Sequence, residues 1–225
     1  MFADRAEAGR QLAQRLDHLR EQTVVVLGLP RGGVPVGFQV AAALDAPLDV
    51  IVVRKLGLPR QPELAFGAIA ENGLWVLDPG VRTHGGTTLA ELREVERREQ
   101  ARLERRVAQL RRGRPRVDLT GRVVVIVDDG LATGLTARAA CRAARQLGAA
   151  RIVLAVPVAP PEPLSRVPEA DEQIRLSTPS PFIAVSLHYR DFAPTSEEEV
   201  LALLDAAAGP RQSRSSVAKD RLGGG

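Results

Sequence analysis

The sequence predicts an α/β protein with a doubly wound, mostly parallel sheet. Three observations predict it: short apolar runs recur along the chain, loops rich in small residues follow them, and helical periodicity follows most of those loops. Fully apolar runs are typical of parallel strands, because both faces of such strands are buried. The 225 residues are 44% apolar and 26% charged, which suits one domain over residues 1–208.

The first part of the chain contains one strand–helix–strand unit. Apolar residues share one face of a predicted helix over 2–20. The unit itself consists of a strand over 23–27, a loop at 30–33, a helix over 34–44 and a second strand over 48–53. The end of the second strand is expected to deliver Arg54 and Lys55 to a loop above the sheet.

The middle of the chain departs from this alternation. Residues 65–77 predict a hairpin around Asn72-Gly73, a dipeptide typical of type I′ turns. A polar stretch follows, and then a highly charged helix over 88–112 with a thin apolar seam. An exposed helix with such a seam often needs a partner, so a homodimer is expected.

Regular alternation then returns. The predicted elements are a strand over 122–127, a loop at 128–134, a helix over 136–147, a strand over 151–156, a late strand over 182–186 and a helix over 196–208. Pro157 is expected to end the strand over 151–156. Residues 209–225 lack apolar periodicity, which predicts a disordered tail.

Composition narrows the class of protein. Cys141 is the only cysteine, which excludes internal disulfides and a cysteine-based metal cluster. No apolar run is long enough to span a bilayer, and the first residues lack the apolar stretch of a secretory signal. A cytoplasmic protein is therefore expected.

The net charge of +4 and the pI near 10.1 raise the question of nucleic-acid binding. The arginines are spread along the chain among glutamates, and only 3% of the residues are aromatic. Proteins that bind single strands usually add aromatic stacking platforms to a basic groove. Nucleic acid is therefore a disfavoured partner, and no membrane partner is expected.

The segment after the strand over 122–127 carries the strongest chemical signal. Ligands of open α/β sheets bind beyond the carboxyl ends of the strands. Here Asp128 and Asp129 can accept hydrogen bonds from a vicinal diol, and the start of the next helix can bind a phosphate. A ribose 5-phosphate fits that arrangement. The alternative is that the two acids merely cap a helix after a strand.

This segment resembles the signature of type I phosphoribosyltransferases, which bind 5-phosphoribosyl-1-diphosphate (PRPP). The resemblance implies that Asp128 and Asp129 face the ribose hydroxyls. It also implies a turn that wraps the 5′-phosphate, consisting of Ala132, Thr133, Gly134, Leu135 and Thr136.

A second segment, Leu29-Pro30-Arg31-Gly32-Gly33, resembles the pyrophosphate loop of xanthine–guanine and hypoxanthine–guanine enzymes. It implies that Arg31, Gly32 and Gly33 bind pyrophosphate and that the Pro30–Arg31 peptide bond is cis. Arginine supplies a charged fork for such an anion. The alternative is a plain glycine-rich turn, and Arg54 and Lys55 either assist at the pyrophosphate or are surface charges. Val34 stands where a Walker A loop requires lysine.

The resemblance covers roughly residues 23–55 and 120–192. It is nearest to a bacterial group of predicted phosphoribosyltransferases, with which the chain shares Phe2-x-Asp4-Arg5, Pro62-Glu63-Leu64-Ala65 and His188-Tyr189-Arg190-Asp191-Phe192. The resemblance implies that residues 56–116 are an insertion in place of a shorter flexible loop, and that residues from about 160 to 192 form a hood over the site. The polar loop around 79–88 is the candidate lid.

The implied activity is magnesium-assisted transfer of ribose 5-phosphate from PRPP to a nitrogenous base, as in purine or pyrimidine salvage. Arg31 and the acid pair would be the catalytic residues. Mg²⁺ would be held mainly by PRPP oxygens and water, and reached by Asp128 and Asp129 only through ribose or water.

The acceptor side departs from the better-known enzymes. Hypoxanthine-type enzymes have an aspartate at the position of Ala132 and a lysine on the strand over 153–156, and neither is present. A 6-oxopurine acceptor is therefore disfavoured. Phe182 and His188 are the candidate contacts to the base, although both could be structural.

Two other functions stay open at this point. A non-catalytic regulator could use the same site to sense PRPP or a nucleotide. A phosphatase or response-regulator-like fold could use Asp128, but it would leave the Thr-Gly-Leu-Thr and Arg-Gly-Gly segments unexplained.

Overall fold

The apolar strands form a five-stranded parallel sheet in a computed structural model that describes residues 1–77, 87–161 and 167–209. The strand order is β2-β1-β6-β7-β8. These strands are β1 (Val24–Gly28), β2 (Leu48–Val50), β6 (Val123–Val127), β7 (Arg151–Val158) and β8 (Glu172–Ser177). A second, antiparallel sheet contains β3 (Val53–Leu58), β4 (Gln61–Ala70) and β5 (Trp75–Leu77).

The helices cover both faces of the parallel sheet. They are α1 (Arg5–Arg15), α2 (Gly33–Leu44), α3 (Leu89–Arg111), α4 (Leu135–Gln146) and α5 (Glu197–Ala208). Along β1, Val24 and Val26 belong to the core formed with α1 and α2, whereas Val25 and Leu27 belong to the core formed with α4. Alternate residues of a strand point to opposite faces, so β1 is buried on both sides. The predicted doubly wound α/β fold is confirmed.

The order of the strands locates the crevice of the sheet. β1 lies directly beside β6, in register from Val24 and Val123 to Gly28 and Val127. The chain moves outward from β1 to β2 on one side and from β6 to β7 and β8 on the other. Ligands bind at such a switch point, beyond the carboxyl ends of the strands. The loops that follow Gly28 and Val127 therefore flank the expected ligand site.

The antiparallel sheet and α3 pack as a layer against the rest of the chain. Val95, Leu103 and Leu110 of α3 are fully or almost fully buried, together with Leu56 of β3 and Ile69 of β4. The predicted charged helix is thus confirmed, and its apolar seam packs as predicted except at Leu89, which is exposed. The seam packs within its own chain, so it does not support the predicted homodimer.

A buried ionic cluster fixes this layer to the parallel sheet. Arg111 at the end of α3 donates from Nη1 to Asp49 Oδ2 of β2 at 2.9 Å and from Nη2 to Glu71 Oε1 at 3.1 Å. Arg116 also pairs with Glu71, at 3.1 Å. Burial raises the pKa of Glu71, although the two arginines oppose that shift. The cluster joins β2, the β4–β5 hairpin and the end of α3.

The predicted strand over 48–53 was wrong as a single element. β2 ends at Val50, and the chain crosses at Ile51 and Val52 into the antiparallel sheet, where Val53 pairs with Ala70. Arg54 and Lys55 therefore lie on strand β3 and not in a loop. A continuous apolar run does not indicate which of two sheets each residue joins.

The predicted hairpin exists, but its turn is not type I′. That type requires positive φ at both central residues, and only Gly73 has it here, with φ 77°. Ala70 accepts from the N–H of Gly73 at 2.9 Å and donates to Leu74 O at 2.7 Å. The turn is thus a three-residue loop in which Gly73 takes the left-handed position.

The later strands also differ from the prediction. Residues 182–186 form no strand: a cis Ser180–Pro181 bond precedes them, and Val185–His188 is a 3₁₀ turn. The fifth strand of the sheet is β8, whose residues are all half-buried and partly charged, so it has no apolar run. β7 continues past Pro157 to Val158.

Several predictions lie outside the described residues. These are most of the candidate lid at 79–88, part of the hood at 162–166 and the tail from residue 210 onward. Within the described residues, no helix is both long enough and apolar enough to cross a membrane.

Candidate functional site

Two adjacent carboxylates stand at the end of β6, at the switch point of the sheet. Asp128 and Asp129 are half-buried, and Asp128 Oδ1 accepts the backbone N–H of Asp129 at 2.9 Å. Burial raises the pKa of Asp128 well above its ordinary value, and the charge of Asp129 adds to this effect. Burial also raises the pKa of Asp129, although Arg5 opposes it. The ionised form of both carboxyls is therefore disfavoured in the free protein, and a ligand that donates hydrogen bonds to them would favour it.

The predicted phosphate turn follows directly. Ala132 and Thr133 are exposed, and Gly134 has φ 81° and precedes the first residue of α4. An α-helix leaves the N–H groups of its first turn without partners in the helix, so this end can bind an anion. The side chain of Leu135 is buried against the antiparallel sheet, so Leu135 can offer a ligand only its backbone. Thr136 is half-buried beside it.

The loop after β1 touches the acid pair, and its Pro30–Arg31 peptide bond is cis, as the resemblance implies. A Cβ on Gly32 would lie 2.0 Å from Asp129 Oδ2, and one on Gly33 would lie 2.4 Å from Val127 O. No larger residue fits this approach without movement. The structure thus brings together the two segments that the sequence singled out separately.

A cavity of about 300 Å³ lies beside the same loop. It is lined by Pro30, Arg31, Val52, Val53, Arg54, Arg106 and Glu197. Arg54 donates from Nε to Glu99 Oε2 at 2.7 Å, and Arg106 donates to Glu197. Three arginines from three parts of the chain therefore line one cavity, which suits a polyanion.

The side chains of Arg54 and Lys55 lie on opposite faces of β3. Neighbouring residues of a strand point to opposite faces. Arg54 lines the cavity and pairs with Glu99 of α3, whereas the charge of Lys55 acts to lower the pKa of Asp128. The two cations that the sequence predicted together thus act on the cavity and on the acid pair, respectively.

The part of the hood around Val185 lies against the turn that follows the acid pair. A Cβ on Gly130 would lie 2.5 Å from Cγ1 of Val185, so the 3₁₀ turn rests on that glycine. Phe182 and His188 stack on each other, with ring centroids 5.9 Å apart and an interplanar angle of 10°. Both rings are half-buried, and Phe182 also packs against the small cluster formed by Phe2, Ala8, Val158 and Tyr189. The two predicted base contacts therefore form one stacked pair in the hood.

Sequence reasoning gave no site role to Arg5, Tyr189 or Phe192. Arg5 donates from Nε to Asp129 Oδ2 at 2.9 Å, and its guanidinium carbon lies 3.9 Å from the ring centre of Phe192. The Tyr189 hydroxyl donates to the carbonyl oxygen of Asp129 at 2.6 Å. The available signal was the shared Phe2-x-Asp4-Arg5 opening, but nothing in its spacing connects it to Asp129. Arg106 and Glu197 were missed because helix periodicity does not reveal a cavity.

Comparison with known proteins assigns the family. The family model described as "Phosphoribosyl transferase domain" matches residues 3–189. The chain belongs to this family. The match includes both loops at the switch point and the segment that carries Arg5.

Curated relatives agree with the assignment to the phosphoribosyl transferase family, and a solved structure is similar in sequence and fold. The chain is 56% identical over 208 residues to a protein of Mycobacterium tuberculosis, found in two strains and named "Putative phosphoribosyl transferase". The alignment covers 92% of this chain and 47% of that protein, so the chain spans about half the length of the curated relatives it matches. It is 43% identical to TT1426 of Thermus thermophilus, with a TM-score of 0.79 and coverage of 93% of this chain and 100% of that chain.

Proposed function

We propose that this protein transfers ribose 5-phosphate from PRPP to a nitrogenous base and releases pyrophosphate. The observation that carries the proposal is the contact between the acid pair and the Arg-Gly-Gly loop at the switch point. This contact brings three parts of one site next to one another. They are the carboxylates that can accept from a diol, the helix start that can bind a phosphate, and the cationic loop that can bind a diphosphate. PRPP presents the same three groups in one molecule, and family membership supports its choice as the substrate.

Different residues of the chain would bind the ribose, the 5′-phosphate and the pyrophosphate of PRPP. Asp128 and Asp129 accept hydrogen bonds from the ribose hydroxyls. The backbone at Ala132, Thr133, Gly134, Leu135 and Thr136 surrounds the 5′-phosphate. Arg31, Gly32, Gly33 and Arg54 act at the pyrophosphate, and the cavity of about 300 Å³ beside the loop has room for that group. Lys55 does not line this cavity, and its charge acts on Asp128 instead.

Catalysis would rest on placement and charge. As the bond from C1 to pyrophosphate breaks, positive charge develops on the ribose ring and negative charge on the leaving group. Arg31 and Arg54 stabilise the leaving pyrophosphate, while the acid pair orients the ribose and lies on the side of the developing cation. The hood limits the access of water to the reacting carbon.

The residues present fit a magnesium ion carried by the substrate. Mg²⁺ prefers six oxygen ligands and usually keeps several waters. The described residues contain no group of three or more potential metal-ligating side chains, and one oxygen of each aspartate is already hydrogen-bonded within the protein. Asp128 and Asp129 would therefore reach the ion through ribose or water. Bound Mg²⁺ would neutralise the leaving pyrophosphate.

We infer that the acceptor is not a 6-oxopurine. Ala132 offers no carboxylate to a base nitrogen, and the buried strand β7 carries only apolar side chains from Ile152 to Val158. The stacked pair of Phe182 and His188 supplies a flat surface for an aromatic acceptor. The cytoplasmic location stays a prediction from the sequence.

The test is an assay of pyrophosphate release with PRPP, Mg²⁺ and a panel of bases. Acceptor-dependent release supports the transferase, and tight PRPP binding without turnover supports the regulator instead. Asp128→Asn and Asp129→Asn should each abolish PRPP binding, whereas Asp205→Asn, on the exposed side of α5, should not change it. Unchanged binding by both site variants would refute the proposed site.

A further inference from the structure

We propose that Arg5 is a positioning residue that holds the carboxylate of Asp129 in place for the ribose hydroxyls. The inference rests on the proposed function, because it concerns the same acid pair. It adds a residue from the start of α1, far from the acid pair in sequence, and it gives a role to the residues that surround this arginine.

The guanidinium of Arg5 is fixed on three sides. Its Nε donates to Asp129 Oδ2 at 2.9 Å, and one terminal nitrogen donates to Ala193 O at 2.8 Å. The ring of Phe192 lies against its flat face at 3.9 Å. Only 12% of the Arg5 side chain and 16% of the Asp129 side chain are exposed. An arginine held in this way presents its Nε–H to Asp129 in one fixed orientation.

Asp129 is held in turn by Gly32, Tyr189 and Arg5. Gly32 lies against its carboxylate, and the Tyr189 hydroxyl binds its carbonyl oxygen at 2.6 Å. Arg5 engages a single carboxylate oxygen, Oδ2. Arg5 does not bind Oδ1, and its bond to Oδ2 fixes the orientation of the whole carboxylate, so Oδ1 is the oxygen that we assign to a ribose hydroxyl. Such preorganisation lowers the ordering that binding itself would otherwise require.

Arg5 also reduces the electrostatic repulsion between the two carboxylates. Two adjacent carboxylates repel each other, and burial strengthens the repulsion. The facing cations are Arg5 from α1 and Lys55 from β3. Lys55 is exposed, whereas Arg5 is largely buried and in direct contact with the pair. Arg5 is therefore the cation in direct contact with the pair, and its bond to Oδ2 fixes the orientation of the Asp129 carboxylate.

The backbone around Arg5 is anchored to the hood. The N–H of Phe2 donates to His188 O at 2.8 Å, and the N–H of Arg190 donates to Phe2 O at 2.8 Å. Asp4 caps α1 by accepting from the N–H of Glu7 at 2.7 Å. The opening segment thus cannot shift independently of residues 188–190. The hood sets the position of Arg5, and Arg5 sets the position of Asp129.

The experiment compares the binding of PRPP and of pyrophosphate, both with Mg²⁺, by titration calorimetry. Arg5→Gln should weaken PRPP binding about tenfold, the factor that 1.4 kcal/mol gives, and leave pyrophosphate binding unchanged. The reason is that pyrophosphate lacks the ribose diol. Arg10→Gln, at an exposed position on the same helix, should change neither affinity.

Each outcome has a distinct meaning. If Arg5→Gln weakens both ligands equally, Arg5 only stabilises the fold and the inference is wrong. It is equally wrong if Asp129→Asn abolishes PRPP binding while Arg5→Gln leaves that binding intact. If Asp129→Asn itself leaves PRPP binding intact, the proposed function fails first. Should Arg5→Gln not fold, Arg5→Lys keeps the cation without the planar fork, and the same selective loss of PRPP binding is expected.

Discussion

The Cα of Gly32 lies so close to the carboxylate of Asp129 that a Cβ on it would stand 2.0 Å from Oδ2. Gly32→Ala should therefore push apart the pyrophosphate loop and the acid pair. Overpacking of this kind costs about 1–3 kcal/mol, and we expect PRPP affinity to fall at least about tenfold. Calorimetric titration measures that loss. Gly209→Ala is the control, because its Cβ would only reach Ala206 O at 3.4 Å; equal affinities for the two variants would contradict the prediction.

The acid pair should destabilise the free protein at neutral pH. Both pKa values are raised in the folded protein, mainly by burial, so the folded state favours the protonated form. By linkage, that contribution to stability is present at low pH and is lost as the pH rises through the raised pKa values. Asp128→Asn should therefore raise the Tm of the ligand-free protein at pH 7, by roughly 2–4 °C for each kcal/mol relieved.

The same substitution should remove the stabilisation that PRPP gives. A thermal melt with and without PRPP and Mg²⁺ measures both effects. In the wild type, PRPP binding should weaken as the pH falls toward the ordinary aspartate value of about 3.9, and the weakening should begin above that value, because the ligand needs ionised acceptors. A Tm for Asp128→Asn below that of the wild type, with Asp205→Asn unchanged, would show that the aspartate is structural.

The sequence predicted those features of the fold and the site that residues close together in the chain determine. The acid pair, the glycine loop and their meeting at one sheet edge follow from strand ends and helix starts, which neighbouring residues determine. β8 could not be predicted in this way, because an edge strand such as Glu172–Ser177 is half-buried and its polar residues hide the pattern. Arg5 could not be linked to Asp129, because only the folded chain brings α1 to the end of β6.

The buried position of Arg111 predicts a large loss of stability on substitution. Arg111→Gln leaves Asp49 without its main cation and Glu71 with Arg116 alone, inside the protein. Breaking a buried ion pair from one side costs about 3–5 kcal/mol. Urea unfolding should show that loss as a lower midpoint with an unchanged slope. Arg105→Gln, at an exposed position on the same helix, should stay within about 0.5 kcal/mol of the wild type; a similar result for Arg111→Gln would contradict the role of the cluster.

The pair of Arg106 and Glu197 predicts two substitutions with opposite effects on pyrophosphate binding. Both residues line the cavity beside Arg31, and Glu197 neutralises the guanidinium that an anion would otherwise meet. Arg106→Gln should weaken pyrophosphate binding about tenfold, as the loss of about 1.4 kcal/mol implies. Glu197→Gln should strengthen it a few-fold, because a partly exposed ion pair is worth about 0.2–1 kcal/mol. Titration calorimetry with Mg²⁺ present gives both affinities, and Glu198→Gln, exposed on the same turn of α5, controls for the charge of the helix start. If both cavity substitutions weaken binding, the ion pair supports the cavity wall and Arg106 does not contact the anion.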